Sequence, residues 1–109
     1  MKNEQVILCG ASSYTQKYYL NPDYEKLPSQ VKDELKIMCV LFTEEVGGVL
    51  TLVFNAEGDL EFKVETAEAD YLFDEIGCGL KMKEIQTTKK ELLEGIQMYH
   101  KLVTGKANQ

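Results

Sequence analysis

The chain of 109 residues contains no arginine and no tryptophan, and all twelve of its basic residues are lysine. Without arginine, it lacks the planar side chain that binds phosphate and carboxylate groups through paired hydrogen bonds. Eighteen acidic residues give the chain a net charge of −6, which repels nucleic acid and anionic lipid. We therefore expect neither a nucleic acid nor a membrane among its partners.

Long apolar runs are also missing. The first run, residues 6–9, is shorter than the roughly 7–15 residues of a signal-peptide core. The longest, residues 37–42, is far below the roughly 20 residues of a membrane-spanning helix. The three cysteines are odd in number and widely spaced, unlike those of a disulfide-stabilised secreted domain. These features predict a cytoplasmic protein with reduced thiols.

The composition, 44% hydrophobic and 28% charged, is typical of a globular protein, and the length fits one domain. We expect a single α+β domain over residues 1–104 and a frayed tail over residues 105–109.

Four short segments have the pattern of β-strands. One apolar run ends at Gly10, and the next ends at the turn signal of residues 21–23. Two later runs flank a loop that contains Gly58, and the second of them alternates apolar and charged side chains without a fault. The predicted strands are residues 6–9, Lys17–Leu20, Val49–Phe54 and Leu60–Glu65.

A helical pattern lies between the two predicted hairpins. It opens at Pro28, a residue well suited to the first turn of a helix, and ends at Gly47, which provides the backbone freedom of a helix C-terminus. Between these positions, apolar side chains recur at helical spacing at Val31, Leu35, Met38 and Phe42. Residues 37–43 also fit a buried strand, but the helical period starts earlier and favours a helix.

Residues 66–103 have a helical pattern with Thr66 as the predicted N-cap. A continuous helix of this length would extend for about 55 Å, whereas a domain of this size has a radius of gyration near 13 Å. We therefore expect either a break, at residues 77–79 or near Thr88, or a second half that packs on a partner chain. Its two apolar stripes are Leu72, Phe73, Ile76 and Leu80, and Leu92, Ile96, Tyr99 and Val103.

The predicted element order is β-β-α-β-β-α. Two hairpins can pair into one antiparallel sheet of about four strands and place two main helices, the last one long or broken, on one face. The sequence therefore predicts a two-layer α+β sandwich.

Catalytic and metal-binding patterns are weak. His100 is the only histidine, and no nearby motif supplies a nucleophile or acid partner, so we expect a partly exposed helix residue. A zinc site would require Cys9, Cys39, Cys78 and His100 to converge without any typical ligand spacing. We expect no catalytic residue, no metal and no cofactor, while the sequence leaves enzymatic activity open.

The most unusual local feature is a cluster of tyrosines. Four of the six tyrosines fall between residues 14 and 24, at Tyr14, Tyr18, Tyr19 and Tyr24. Tyr18 and Tyr19 must face opposite sides of a strand. The cluster fits either an interface or the edge of the core with its hydroxyls in water.

Four stretches resemble an uncharacterised family of small bacterial proteins, a domain of unknown function. They are residues 8–19 (LCGASSYTQKYY), 37–48 (IMCVLFTEEVGG), 74–77 (DEIG) and 90–93 (KELL). The resemblance implies a stand-alone bacterial protein of about this length. It implies no activity, ligand or catalytic residue.

Two functions of different classes fit these patterns. The first is a non-catalytic protein-interaction module that forms a homodimer or binds a protein partner through Leu92, Ile96, Tyr99 and Val103. The second is a small-ligand-binding protein or enzyme with a pocket at the first hairpin, lined by Tyr14, Lys17, Tyr19 and Glu45. A third hypothesis is thiol chemistry at Cys9 or Cys78.

Overall fold

The computed structural model describes residues 5–67 and 70–105, which form four strands and three α-helices. The strands are β1 (Val6–Ser12), β2 (Lys17–Leu20), β3 (Val49–Phe54) and β4 (Leu60–Glu65). The helices are α1 (Ser29–Val46), α2 (Glu75–Thr88) and α3 (Lys90–Thr104), and a short 3₁₀ helix spans Pro22–Tyr24. The predicted α+β class is confirmed.

The two hairpins join into one antiparallel sheet in the order β2-β1-β3-β4. Its register places Cys9 opposite Leu52, and Leu52 opposite Phe62, so these side chains share one face. An irregularity between Ile7 and Cys9 shifts the register of β1 against β3. The strand predicted to stop before Gly10 continues to Ser12, because both of its neighbours pair with it that far.

All three α-helices contribute to one apolar core with the sheet face that carries Leu50, Leu52 and Phe54. Leu35 and Phe42 of α1 have no exposed surface in this core, which confirms the helical pattern and rejects the strand alternative for residues 37–43. The prediction of a two-layer arrangement is confirmed. None of the helices in the described part of the chain is long and apolar enough to cross a membrane.

The prediction of a helix from Thr66 is wrong, because residues 66–67 and 70–74 are not helical. The chain must return from β4 to the end of α1, where the amide of Asp74 donates to the carbonyl of Val46 at 3.2 Å. The Asp74 side chain then caps α2 by accepting from the amide of Gly77 at 2.8 Å. A β-carbon at Gly77 would overlap the Asp74 carboxylate, so the missing side chain permits this cap.

The predicted break near Thr88 is present. Lys89 has a non-helical ψ of 21° and separates α2 from α3. The Thr88 hydroxyl donates to the carbonyl of Glu84 and does not cap α3. Two helices of 14 and 15 residues therefore replace one long helix and fit within 45 × 35 × 25 Å.

The end of α3 is defined by Gly105, whose φ of 82° is the left-handed conformation that favours glycine. The frayed tail was predicted for residues 105–109, and residues 106–109 lie outside the described part of the chain.

Candidate functional site: a polar cleft and an exposed helical surface

A cleft of about 880 Å³ lies between the β1–β2 hairpin and the C-terminal half of α1. Three of the four residues predicted to line a pocket lie along it, namely Tyr14, Lys17 and Glu45. Tyr18 and Thr43 add an aromatic ring and a hydroxyl. The turn between the two strands and the C-terminal half of α1 form its walls.

Local hydrogen bonds shape that turn. The Ser12 hydroxyl accepts from the amides of Tyr14 and Thr15 at 3.1 and 3.3 Å, and Gln16 adopts a left-handed φ of 56°. The backbone therefore reverses within a few residues and projects the Tyr14 ring across the end of the cleft.

Tyr14 links this turn to the segment that leads into α2. Its hydroxyl donates to the Asp70 carboxylate and accepts from the amide of Ala67 at 2.9 Å. The hydrogen bond to Asp70 raises the pKa of the Tyr14 hydroxyl above its ordinary value, because a phenolate there would face a carboxylate. The link therefore holds at neutral pH and is lost as the pH rises through that raised pKa.

Two other polar groups of the cleft, those of Glu45 and Thr43, also have partners within the chain. The Glu45 carboxylate forms an ion pair with Lys81 at 3.1 Å and thereby raises the pKa of that lysine. The Thr43 hydroxyl donates to the carbonyls of Cys39 and Val40 at 3.3 and 3.1 Å. The Glu45 ion pair thus joins α1 to α2, and the Thr43 hydroxyl bonds to the backbone of its own helix.

Tyr19, the fourth residue predicted for the pocket, does not line this cleft. It lies opposite Gly10 in the β1–β2 ladder, and about half of its surface is exposed. Its neighbour Tyr18 lines the cleft instead, because successive side chains of a strand alternate between faces.

A second feature is an apolar patch on two adjacent helices. α1 and α2 run antiparallel, since the start of α2 meets the end of α1 while Lys89 pairs with Glu34 at 4.0 Å. The four large apolar side chains exposed on this pair form what we call the outer helical surface: Ile37 and Leu41 of α1, and Ile76 and Leu80 of α2.

The most exposed members of this region belong to the first apolar stripe of the sequence. Leu72, which lies before α2 at the mouth of the cleft, is 93% exposed, and Ile76 and Leu80 are 78% and 66% exposed. Their spacing in the sequence did not mark them as a contact surface. The apolar spacing showed that a stripe exists, but it could not show which stripe the sheet covers.

The stripe that was predicted to face a partner lies on α3, and its residues differ in burial. Ile96 is buried in the core, whereas Leu92 and Tyr99 are half-buried against it. Val103 is exposed near the end of the helix. The predicted interface residues therefore do not form one exposed surface.

The prediction that His100 is partly exposed is wrong. Its ring is 1% exposed and stacks on Phe54 with centroids 3.8 Å apart and planes 2° from parallel. The Tyr24 hydroxyl and the His100 Nδ1 share a hydrogen bond of 2.6 Å. The error arose because the histidine lies beside the apolar stripe, and its ring faces the aromatic end of the core.

The cysteines form one pair rather than a metal site. The Sγ atoms of Cys9 and Cys39 lie 3.9 Å apart in the core, while Cys78 is half-buried on α2. Across residues 5–67 and 70–105, no group of three or more His, Cys, Asp or Glu side chains could hold a metal ion. Nothing in the spacing of Cys9 and Cys39 along the chain indicated this contact.

The fold and these two features define a small α+β domain that carries a polar cleft beside an exposed apolar helical surface. The chain belongs to DUF6145, a family of unknown function whose profile matches residues 5–108. The expected relationship to an uncharacterised family is thereby confirmed, and the bacterial origin remains a prediction. No curated protein and no solved structure gave a significant match.

Proposed function

We propose that this protein is a non-catalytic interaction module of the cytoplasm that pairs with a second copy of itself through the outer helical surface. The observation that carries this proposal is the exposure of four large apolar side chains on two adjacent helices. Soluble monomers rarely expose contiguous apolar patches of more than a few hundred Å², and larger patches mark contact sites.

The charges around this surface support a second copy as the partner. Lys81 and Lys89 form ion pairs with Glu45 and Glu34 of α1, and Lys81 also pairs with Glu84 within α2. Two copies of a surface that carries both signs of charge beside apolar side chains can meet across a twofold axis with unlike charges opposed.

The proposed contact does not lie on α3. Ile96 is 2% exposed, so it could join an interface only by leaving the core. Ile76 and Leu80 need no such rearrangement. We therefore assign the contact to α2 and the outer side of α1, and we expect neither nucleic acid nor membrane to bind a chain of net charge −6.

Sedimentation equilibrium over a concentration series tests the proposal. The wild-type protein should reach twice the chain mass of 12.4 kDa, and Leu80→Glu should remain a monomer with unchanged circular dichroism. Leu102→Glu is the matched control, because Leu102 on α3 is 64% exposed and Leu80 is 66% exposed. The control variant should still dimerise.

Two results contradict this assignment. A wild-type protein that stays monomeric at high concentration rules out self-association. A dimer that is broken by Leu102→Glu and kept by Leu80→Glu would move the contact to the C-terminal helix. Salt gives a further check, because screening the repulsion between two chains of charge −6 should strengthen a dimer held by apolar contact.

A second candidate function is the binding of a small ligand in the cleft. It is favoured by the concave surface that brings Tyr14, Lys17 and Glu45 together. It is weaker, because the Tyr14 hydroxyl and the Glu45 carboxylate already have partners within the chain. A fragment screen followed by amide chemical shifts tests it: true binding should move signals around Thr43 and Lys17 and disappear in Tyr14→Ala.

A further inference from the structure

We propose that Cys9 and Cys39 are a buried dithiol that a peroxide oxidises to an intramolecular disulfide, joining β1 to α1. This inference is independent of the dimer and would stand if the protein were a monomer.

The geometry favours this pair over any pairing with Cys78. The sulfur atoms of Cys9 and Cys39 are 3.9 Å apart, and a disulfide bond needs about 2.05 Å. They have only to approach each other within the core, and neither cysteine has exposed surface. Cys78 lies on α2, where it is half-buried.

Tyr18 connects this pair to the cleft. Its ring lines the cleft, and its hydroxyl is buried near Cys9 without a hydrogen-bond partner among the described residues. The Tyr18 side chain thus reaches from the cleft toward the thiol pair. Movement of that ring gives a small oxidant its route to Cys9.

The surroundings also distinguish the two thiols. The contact with the Cys39 sulfur lowers the pKa of Cys9, against the opposing effect of burial. The same sulfur–sulfur contact, together with burial, raises the pKa of Cys39. Cys9 is therefore the thiol that becomes the nucleophilic thiolate, and Cys39 is the resolving thiol.

The chemistry balances with hydrogen peroxide as the oxidant. The Cys9 thiolate attacks one peroxide oxygen and breaks the O–O bond, which gives a sulfenic acid and a hydroxide that takes up a proton to become water. The Cys39 sulfur then attacks the sulfenic sulfur, the S–O bond breaks, and the oxygen leaves as water with the Cys39 proton. Two thiols lose two hydrogens, and one peroxide is reduced to two waters.

The test is an intact-mass measurement on the full chain, treated with hydrogen peroxide while folded, then unfolded and alkylated. The chain contains three cysteines. We expect the oxidised protein to take up one alkyl group instead of three, and peptide mapping to find the link between Cys9 and Cys39. The unfolding temperature should rise on the order of 10 °C, because the link closes a long loop and restrains the unfolded chain.

Variants and alternative outcomes make the test decisive. Cys78→Ser should form the same disulfide, whereas Cys39→Ser should not, and the wild-type peptide map settles the pairing even if Cys39→Ser fails to fold. Tyr18→Phe should change the rate of oxidation but not its product. Retention of three alkylatable thiols, a link that includes Cys78, or sulfinic acid without a disulfide would each overturn the proposal.

Discussion

The two C-terminal helices are nearly equal in length, yet they are attached to the protein in different ways. α3 buries Leu93, Ile96 and His100, and its Gln97 side chain accepts from the amide of Leu60 at 2.7 Å. α2 buries Ile85, packs Cys78 and Met82 partly against the core, and forms an ion pair with α1 through Lys81. Apolar burial therefore contributes more to the attachment of α3, whereas ion pairs and a cap contribute more to that of α2.

This difference shows that an apolar stripe has two possible meanings. Each helix has apolar residues at regular spacing, but the stripe of α3 turns partly into the core while Ile76 and Leu80 of α2 face outward. Surface ion pairs are typically worth about 0–1 kcal/mol, so α2 is the less firmly attached helix. A partner that covered Ile76 and Leu80 would supply the apolar burial that α2 lacks.

Truncating one apolar residue on each helix should give the largest contrast. Ile96→Ala removes a buried side chain and should destabilise the protein by about 2–5 kcal/mol. Leu80→Ala should change the free energy of unfolding by no more than about 0.5 kcal/mol, because the side chain is mostly in water. Urea unfolding at a concentration below self-association measures both. Similar midpoints for the two variants would mean that α2 is as firmly packed as α3.

The aromatic attachment of α3 should give the next largest effect. Tyr24→Phe retains the ring that packs beside Phe54 and removes the hydroxyl bonded to the His100 Nδ1. The loss of this buried partner should cost about 1–3 kcal/mol. Tyr19→Phe is the control, because that ring is largely exposed and should change stability by less than about 0.5 kcal/mol. If the two variants unfold alike, the hydroxyl contributes little to holding α3.

Local sequence patterns predicted most of the sheet and α1. The bounds of β2, β3 and β4 agree with the structure because alternation and turn residues are local signals. The helix from Thr66 was wrong because the path from β4 back to Val46 depends on the tertiary arrangement of the chain. His100 was misplaced for a similar reason, since only the fold brings it to Phe54 and Tyr24.

The candidate site was predicted less completely than the fold. Tyr14, Lys17 and Glu45 do meet at one cleft, but Tyr19 faces the other side of the sheet. The sequence could not reveal the ion pair that occupies Glu45, because its partner Lys81 lies on a different helix. Contacts between distant elements determine whether a polar group is available to bind a ligand. The spacing of residues along the chain does not predict those contacts.

The cap of α2 should have a moderate and local effect. Asp74→Ala removes the carboxylate that accepts from the amide of Gly77 and should cost about 1 kcal/mol. Asp74→Asn retains an acceptor and should behave nearly as the wild type. Hydrogen exchange should show faster opening in the first turn of α2 and unchanged protection in α3. Equal loss of protection in both helices would indicate that they unfold as one unit.

The smallest effect is expected where the first hairpin meets the segment before α2. Tyr14→Phe removes a hydroxyl that bonds Ala67 and Asp70, but the ring is exposed, so global stability should change by no more than about 0.5 kcal/mol. The amide of Ala67 should nevertheless exchange faster, because its acceptor is the lost oxygen. Lys17→Ala, on the same hairpin, should leave that amide unchanged. Unaltered exchange of the Ala67 amide in Tyr14→Phe would mean that other contacts hold the segment before α2 in place. Asp74 would then be the first residue that attaches α2 to the rest of the protein.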